Sequence, residues 1–168
     1  MESLSVSVET HTAQKTRELG VALGRLLQPG DFVALLGELG AGKTEFARGV
    51  AEGCGVAPEA VSSPTFALIH LYQGRLPLMH ADLFRLESEE DLYGTGYYEL
   101  RDTDTSAVVV EWADRIPAAV PGDTLRIHFA LGSSDGDRQL TATATGPFSQ
   151  TRLNEWARSE PLAHRNPA

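Results

Sequence analysis

Residues Gly37-Glu38-Leu39-Gly40-Ala41-Gly42-Lys43-Thr44 fit the pattern G-x-x-x-x-G-K-[ST] without mismatch. No other stretch restricts the fold of this chain as much, because such a loop needs a strand before it and a helix after it. Both are legible. Phe32 to Leu36 is a short apolar run that reads as a buried strand, and Lys43 to Cys54 reads as a helix with Phe46, Ala47, Val50 and Ala51 on one face. Strand, glycine loop and helix in this order imply a parallel crossover, and so an α/β architecture.

The residue types carry the chemistry. Gly37, Gly40 and Gly42 allow backbone conformations closed to other residues and a close approach to a ligand. The N–H groups of the loop, Glu38, Leu39 and Ala41 included, can then point at phosphate oxygens, helped by the partial positive charge of the helix start. Lys43 would reach the β- and γ-phosphates, and the Thr44 hydroxyl would ligate Mg²⁺. Only Lys15 and Lys43 are lysines, against twelve arginines. A chain that otherwise uses arginine keeps a compact ammonium where a phosphate site wants one.

At 168 residues one domain with one core is expected. Residues 1–146 would form the P-loop domain, and 147–168 a C-terminal helix and tail, part of the same domain or partly disordered. Neither a secretory signal nor an apolar stretch of membrane-spanning length is visible, which points to the cytoplasm and to no membrane role. Cys54 is the only cysteine, so internal disulfides and cysteine-rich metal sites are excluded, and packing is its expected role. The formal charge is −9, with acidic residues clustered at Glu87, Glu89, Glu90 and Asp91. Tight DNA or RNA binding by this chain alone does not fit that balance, whereas a basic protein partner does.

Further strands are expected at Leu4–Val8, Thr65–Tyr72, Leu76–Asp82 and Ala107–Trp112. The second and third of these are separated only by Gln73-Gly74-Arg75, which implies an antiparallel hairpin. Alternation at Leu125, Ile127, Phe129 and Leu131, and again at Leu140, Ala142 and Ala144, implies a second hairpin around the polar loop Gly132–Asp137. Thr10 or Thr12 would cap a helix carrying Leu19, Leu23, Leu26 and Leu27, and Ser88 a short acidic helix from Glu89. The tail from Gln150 has Leu153, Trp156 and Ala157 at helical spacing and a frayed end from Pro161. The fold class is therefore α/β: a P-loop NTPase-like three-layer fold with a mixed sheet carrying antiparallel hairpins.

Hydrolysis or transfer needs a carboxylate near Mg²⁺ at the end of a second strand. Val108-Val109-Val110-Glu111 and Leu76–Asp82 both end in one, and each is either such a group or a charge emerging into solvent. Ser63-Pro64-Thr65 is either a γ-phosphate sensor or a proline turn feeding a strand. Asp91-Leu92-Tyr93-Gly94 fits D-x-x-G but follows no strand, and with asparagine only at 154 and 166 the guanine-reading N-K-x-D is absent. The five histidines lack metal-ligand spacing, and His80 alone lies close to a candidate catalytic residue. Arg138 and the Thr10–Thr12 segment are candidates for approaching a base.

Four segments in order resemble one family: Gly37–Thr44, Ser63-Pro64-Thr65-Phe66, His80-Ala81-Asp82-Leu83-Phe84-Arg85-Leu86 and Val110-Glu111-Trp112. Over roughly residues 4–145 the chain resembles the bacterial TsaE ATPases of tRNA N6-threonylcarbamoyladenosine (position 37) synthesis. The resemblance implies an ATP- and Mg²⁺-dependent ATPase, weak alone, that docks on the TsaB–TsaD heterodimer and supports its turnover, with tRNA reached only through those partners. It implies Mg²⁺ on Thr44 and Glu111, a catalytic Asp82 that positions or activates water, a catalytic Lys43, and a switch at Thr65, with Trp112 packed beside the site. The family pattern has Asp at Glu38, Thr or Ser at Glu45 and Tyr at Phe84. Glu45 would weaken nucleotide affinity if it faced the phosphates. The competing expectations are a small-molecule kinase, which would carry an arginine-bearing lid late in the chain, and a nucleotide-dependent binding module that hardly hydrolyses ATP.

Overall fold

The computed structural model describes residues 4–61, 68–160 and 162. Its elements in chain order are β1 (Ser5–Thr10), α1 (Ala13–Leu26), β2 (Phe32–Gly37), α2 (Lys43–Gly53), β3 (Ile69–Tyr72) and β4 (Leu78–Asp82), then α3 (Tyr97–Arg101), β5 (Ala107–Glu111), β6 (Leu125–Leu131), β7 (Arg138–Ala144) and α4 (Pro147–Arg158). Among the described residues the strands form one seven-stranded sheet in the order β1-β7-β6-β2-β5-β4-β3. β2, β4, β5 and β6 run parallel, while β3–β4, β6–β7 and β1–β7 are antiparallel.

The parallel strands read as apolar runs because both sheet faces are covered. On one face Val33, Leu35, Leu78, Val109, Ile127 and Phe129 pack against Leu23, Phe46, Val50 and Trp156 of α1, α2 and α4. On the other, Phe32, Ala34, Met79, Ala81, Val108 and Val110 pack against Leu92, Tyr97, Ile116 and Ala119 from short helical turns. Three layers result, as the mixed pattern of crossovers and hairpins requires.

Thr12 caps α1, its hydroxyl accepting from Lys15 N at 3.1 Å. α1 and α2 approach through glycine on both sides. A Cβ on Gly24 would lie 2.2 Å from the Val50 carbonyl oxygen, and one on Gly49 2.1 Å from that of Arg17. Cys54 is buried at the end of α2, where its thiol donates to Gly24 O at 3.6 Å and burial pushes its pKa up to about 11. α4 is tied to the rest by Trp156 Nε1–H, which donates to Leu19 O at 3.1 Å, and by the ion pair of Arg152 with Asp31 at 2.6 Å.

Several elements differ from expectation. The strand expected from Leu76 begins at Leu78, because Pro77 has no N–H for the ladder and offers only its carbonyl, which accepts from Ala107 N. The acidic helix is a single 3-10 turn, Glu89–Leu92, capped by Ser88 and Asp91. The C-terminal helix begins at Pro147, at the boundary expected for it and ahead of the apolar spacing seen from Gln150, and Pro147 sits in its first turn, where a missing N–H costs nothing. Leu162, in the stretch expected to fray, is buried. The beginning of the Thr65–Tyr72 strand and the rest of the tail lie outside the described residues.

Candidate active site

The loop following β2 leaves the sheet at Gly37, whose φ of 132° suits glycine, and a Cβ there would lie 2.3 Å from the Phe129 carbonyl oxygen. Gly42 enters α2 in the left-handed region at φ 101°. The chain thereby turns back on itself and presents the start of an eleven-residue helix at the ends of β2 and β5.

Lys43 is buried beneath this loop. Its Nζ donates to Gly37 O at 2.6 Å and to Glu38 O at 2.7 Å, and lies 4.0 Å from the centre of the Trp112 ring. Burial lowers the Lys43 pKa, while Glu111, Asp114 and Asp82 oppose that shift. Trp112 adopts φ 57°, unusual for a large side chain, and so turns its indole across the ammonium. Phe84 packs against the same indole at 4.9 Å, with Arg115 lying over both rings.

Strand register brings the two expected carboxylates together. β4 and β5 are parallel neighbours in which Asp82 lies beside Glu111. Glu111 is 1% exposed. Its Oε1 accepts from the Thr44 hydroxyl at 2.7 Å and its Oε2 meets His80 Nε2 at 2.6 Å. Asp82 Oδ1 accepts from Phe84 N at 2.9 Å. Burial raises the Asp82 pKa, partly offset by the Phe84 N–H, with Glu111 adding to the rise.

Lys43, Thr44, Asp82, Glu111 and the glycine loop thus converge at the carboxyl ends of parallel strands, where open α/β sheets build their sites. Thr65 and the Ser63-Pro64-Thr65 segment lie outside the described residues. Glu45 does not stand alone beside Thr44: its carboxylate lies between Arg17 and Arg48, at 3.9 and 3.7 Å. Arg138 reaches the loop, its Nε donating to Gly40 O at 3.2 Å, and pairs with Thr10 across β1 and β7. Beside it a cleft of about 260 Å³ is lined by His11, Leu131, Asp137 and Arg138. A larger one, about 520 Å³, opens between Glu38, Trp112, Asp114 and His128.

His80, expected only to lie close to a candidate catalytic residue, is brought by the structure against Glu111. Its signal was present: His80 and Asp82 are two apart on one strand and so share a face. What one sequence could not supply was the β4–β5 register, which pairs His80 with Val109 and so lets its side chain reach Glu111.

A model of the family described as threonylcarbamoyl adenosine biosynthesis protein TsaE matches residues 10–140. The tRNA threonylcarbamoyladenosine biosynthesis protein TsaE of Treponema pallidum is 41% identical over 132 residues, covering 79% of this chain and 96% of that protein. The Bacillus subtilis protein of the same name is 35% identical over 157 residues, covering 92% and 96%. The crystal structure of YdiB from Bacillus subtilis superposes with a TM-score of 0.74 at 30% identity, covering 94% of this chain and 97% of that one.

Proposed function

The chain belongs to the TsaE family of threonylcarbamoyl adenosine biosynthesis proteins, and from that membership we propose that it binds Mg-ATP at the glycine loop and hydrolyses it. Its role is in the threonylcarbamoyladenosine modification of tRNA. The observation that carries the ATPase reading is the joining of Thr44 and Glu111 by a 2.7 Å hydrogen bond, with Asp82 on the adjacent strand.

A hydroxyl and a carboxylate are hard oxygen donors of the kind Mg²⁺ takes alongside phosphate and water. Thr44 and Glu111 would hold the ion, which when bound offsets charge on the phosphates. Loop N–H groups from Glu38 to Thr44 and the Lys43 ammonium bind and orient the β- and γ-phosphates. Lys43 then exchanges the Gly37 and Glu38 carbonyls for phosphate oxygens. Asp82 orients the attacking water and takes its proton, a task suited to a carboxylate whose pKa burial has raised. Thr65 senses the γ-phosphate. Arg138 and the Thr10–Thr12 segment border the 260 Å³ cleft and would face the base. The late segment where a small-molecule kinase carries its lid is here the β6–β7 hairpin, which favours hydrolysis over transfer.

The partners are proposed to be TsaB and TsaD, with tRNA contacted through them, and the isolated chain is expected to turn over slowly. Single-turnover phosphate release, with and without the TsaB–TsaD pair, tests this. Asp82→Asn should retain ATP binding and lose roughly 10²- to 10⁴-fold in the chemical step. Wild-type release by Asp82→Asn, or fast turnover of the isolated chain unaffected by the pair, refutes the reading. A nucleotide-dependent binding module would instead bind ATP and release no phosphate under either condition.

A further inference from the structure

We infer that His80 is a positioning residue, which holds Glu111 in the orientation needed to ligate the nucleotide's metal ion. The inference rests on the Mg-ATP reading above and adds to it a residue with no contact to nucleotide.

The geometry is that of a carboxylate held from two sides. An ionised carboxylate only accepts hydrogen bonds. The Thr44 hydroxyl therefore donates to Oε1 and His80 Nε2–H donates to Oε2, at 2.7 and 2.6 Å. These donors come from different elements, α2 and β4, so neither can turn Glu111 without opposing the other. His80 and Glu111 side chains are 2% and 1% exposed, so water does not readily replace a lost donor. Asp82 is served separately, by Phe84 N, which assigns His80 to Glu111 and not to the proton-accepting carboxylate. Outer partners of this kind are worth about 10- to 100-fold in metal affinity where they have been removed.

The side chain of His80 is also fixed in place. It lies opposite His70 in the β3–β4 ladder, with ring centres 6.4 Å apart, and 6.5 Å from the ring of Tyr72. The imidazole is thus wedged between an aromatic wall and the carboxylate, an arrangement that selects one ring orientation and with it the direction of the N–H.

The test measures affinity for a metal, not turnover. Mn²⁺ is titrated into the protein–ADP complex and free Mn²⁺ followed by electron paramagnetic resonance. His80→Met fills similar space without a donor, whereas His80→Gln can place an amide N–H near the position of Nε2. The Met variant should weaken Mn²⁺ binding about 10- to 100-fold, keep its affinity for ADP in EDTA within about twofold, and be matched by no comparable loss in the Gln variant. In a Glu111→Gln background, His80→Met should have no further effect, since the two act through one contact. Unchanged Mn²⁺ affinity in His80→Met, or an equal loss in both backgrounds, overturns the inference. Should the Met variant not fold, His80→Asn, whose amide falls short of Oε2, takes its place with the same expected loss. A wild-type protein that binds ADP with no bound Mn²⁺ at all refutes the metal reading itself, which is a separate result.

Discussion

Asp82 and Glu111 stand side by side at the ends of neighbouring strands, yet their surroundings differ. Glu111 has a partner on each oxygen and is held fixed. Asp82 has a single backbone donor, and burial holds its pKa above the usual carboxylate range. The consequence for stability has a definite sign. A carboxyl whose folded pKa is raised is one whose charge folding disfavours. That penalty is full above the folded pKa and vanishes once pH falls below the unfolded value near 3.9. Asp82→Asn should therefore raise the melting temperature of the nucleotide-free protein at pH 7, with the gain shrinking as pH is lowered towards 4. Thermal melts across that range check it, and a variant less stable than wild type at pH 7 contradicts it. Glu45 shows a different kind of dependence on surroundings. Its charge lies next to Thr44 in sequence and would oppose phosphate if it faced inward. Arg17 and Arg48 hold it instead, and Arg17 arrives from a helix that sequence spacing alone does not bring near.

Between elements, the closest constraint is the α1–α2 interface. Gly20 and Gly24 on one helix, and Gly49 and Gly53 on the other, each meet backbone of the partner helix. Alanine is the better helix former by about 1 kcal/mol, so Gly24→Ala would stabilise an isolated helix. Here the added methyl group meets the Val50 carbonyl, and overpacking of about 1–3 kcal/mol prevails. Gly24→Ala and Gly49→Ala should each lower the melting temperature by several degrees, at about 2–4 °C per kcal/mol for a chain of this size. Gly122, where a Cβ meets nothing within 4 Å, is the control and should change little on substitution by alanine. The four-residue spacing of these glycines was in the sequence, but which helix they face was not. The same division holds across the fold. β2, α2 and both hairpins could be read because their apolar periods and turns are local. The pairing of β1 with β7 could not, since nothing near either strand names a partner so distant in the chain. The five residues of α3 are too few for a helical period to emerge, and their helical state depends on Tyr97 being drawn into the core beside Leu92 and Ile116. The site was legible in the same measure. The motif named the loop, and strand-final charges named Asp82 and Glu111, but only the β4–β5 register made them neighbours.

For the whole molecule, the net charge of −9 sets its behaviour toward nucleic acid. Neutralising phosphates takes lysines and arginines in excess, whereas here acidic residues outnumber them, and we propose that the family role on tRNA is met through a partner. At physiological salt the isolated protein should bind tRNA no more tightly than about 100 µM in a gel-shift or anisotropy assay. Submicromolar binding by the chain alone would contradict an indirect role. The sheet order has a further consequence, in time instead of space. β1 is the first of the described strands to be synthesised, and its only neighbour in the described sheet, β7, is the last. The core face of α2 waits in the same way for Phe129 on β6 and Trp156 on α4, both of which meet the ring of Phe46. A nascent chain that has emerged only through β5 holds the glycine loop and both carboxylates but not the wall behind them. The packing behind the loop is therefore completed late in translation, once β6 and α4 have come round to cover α2.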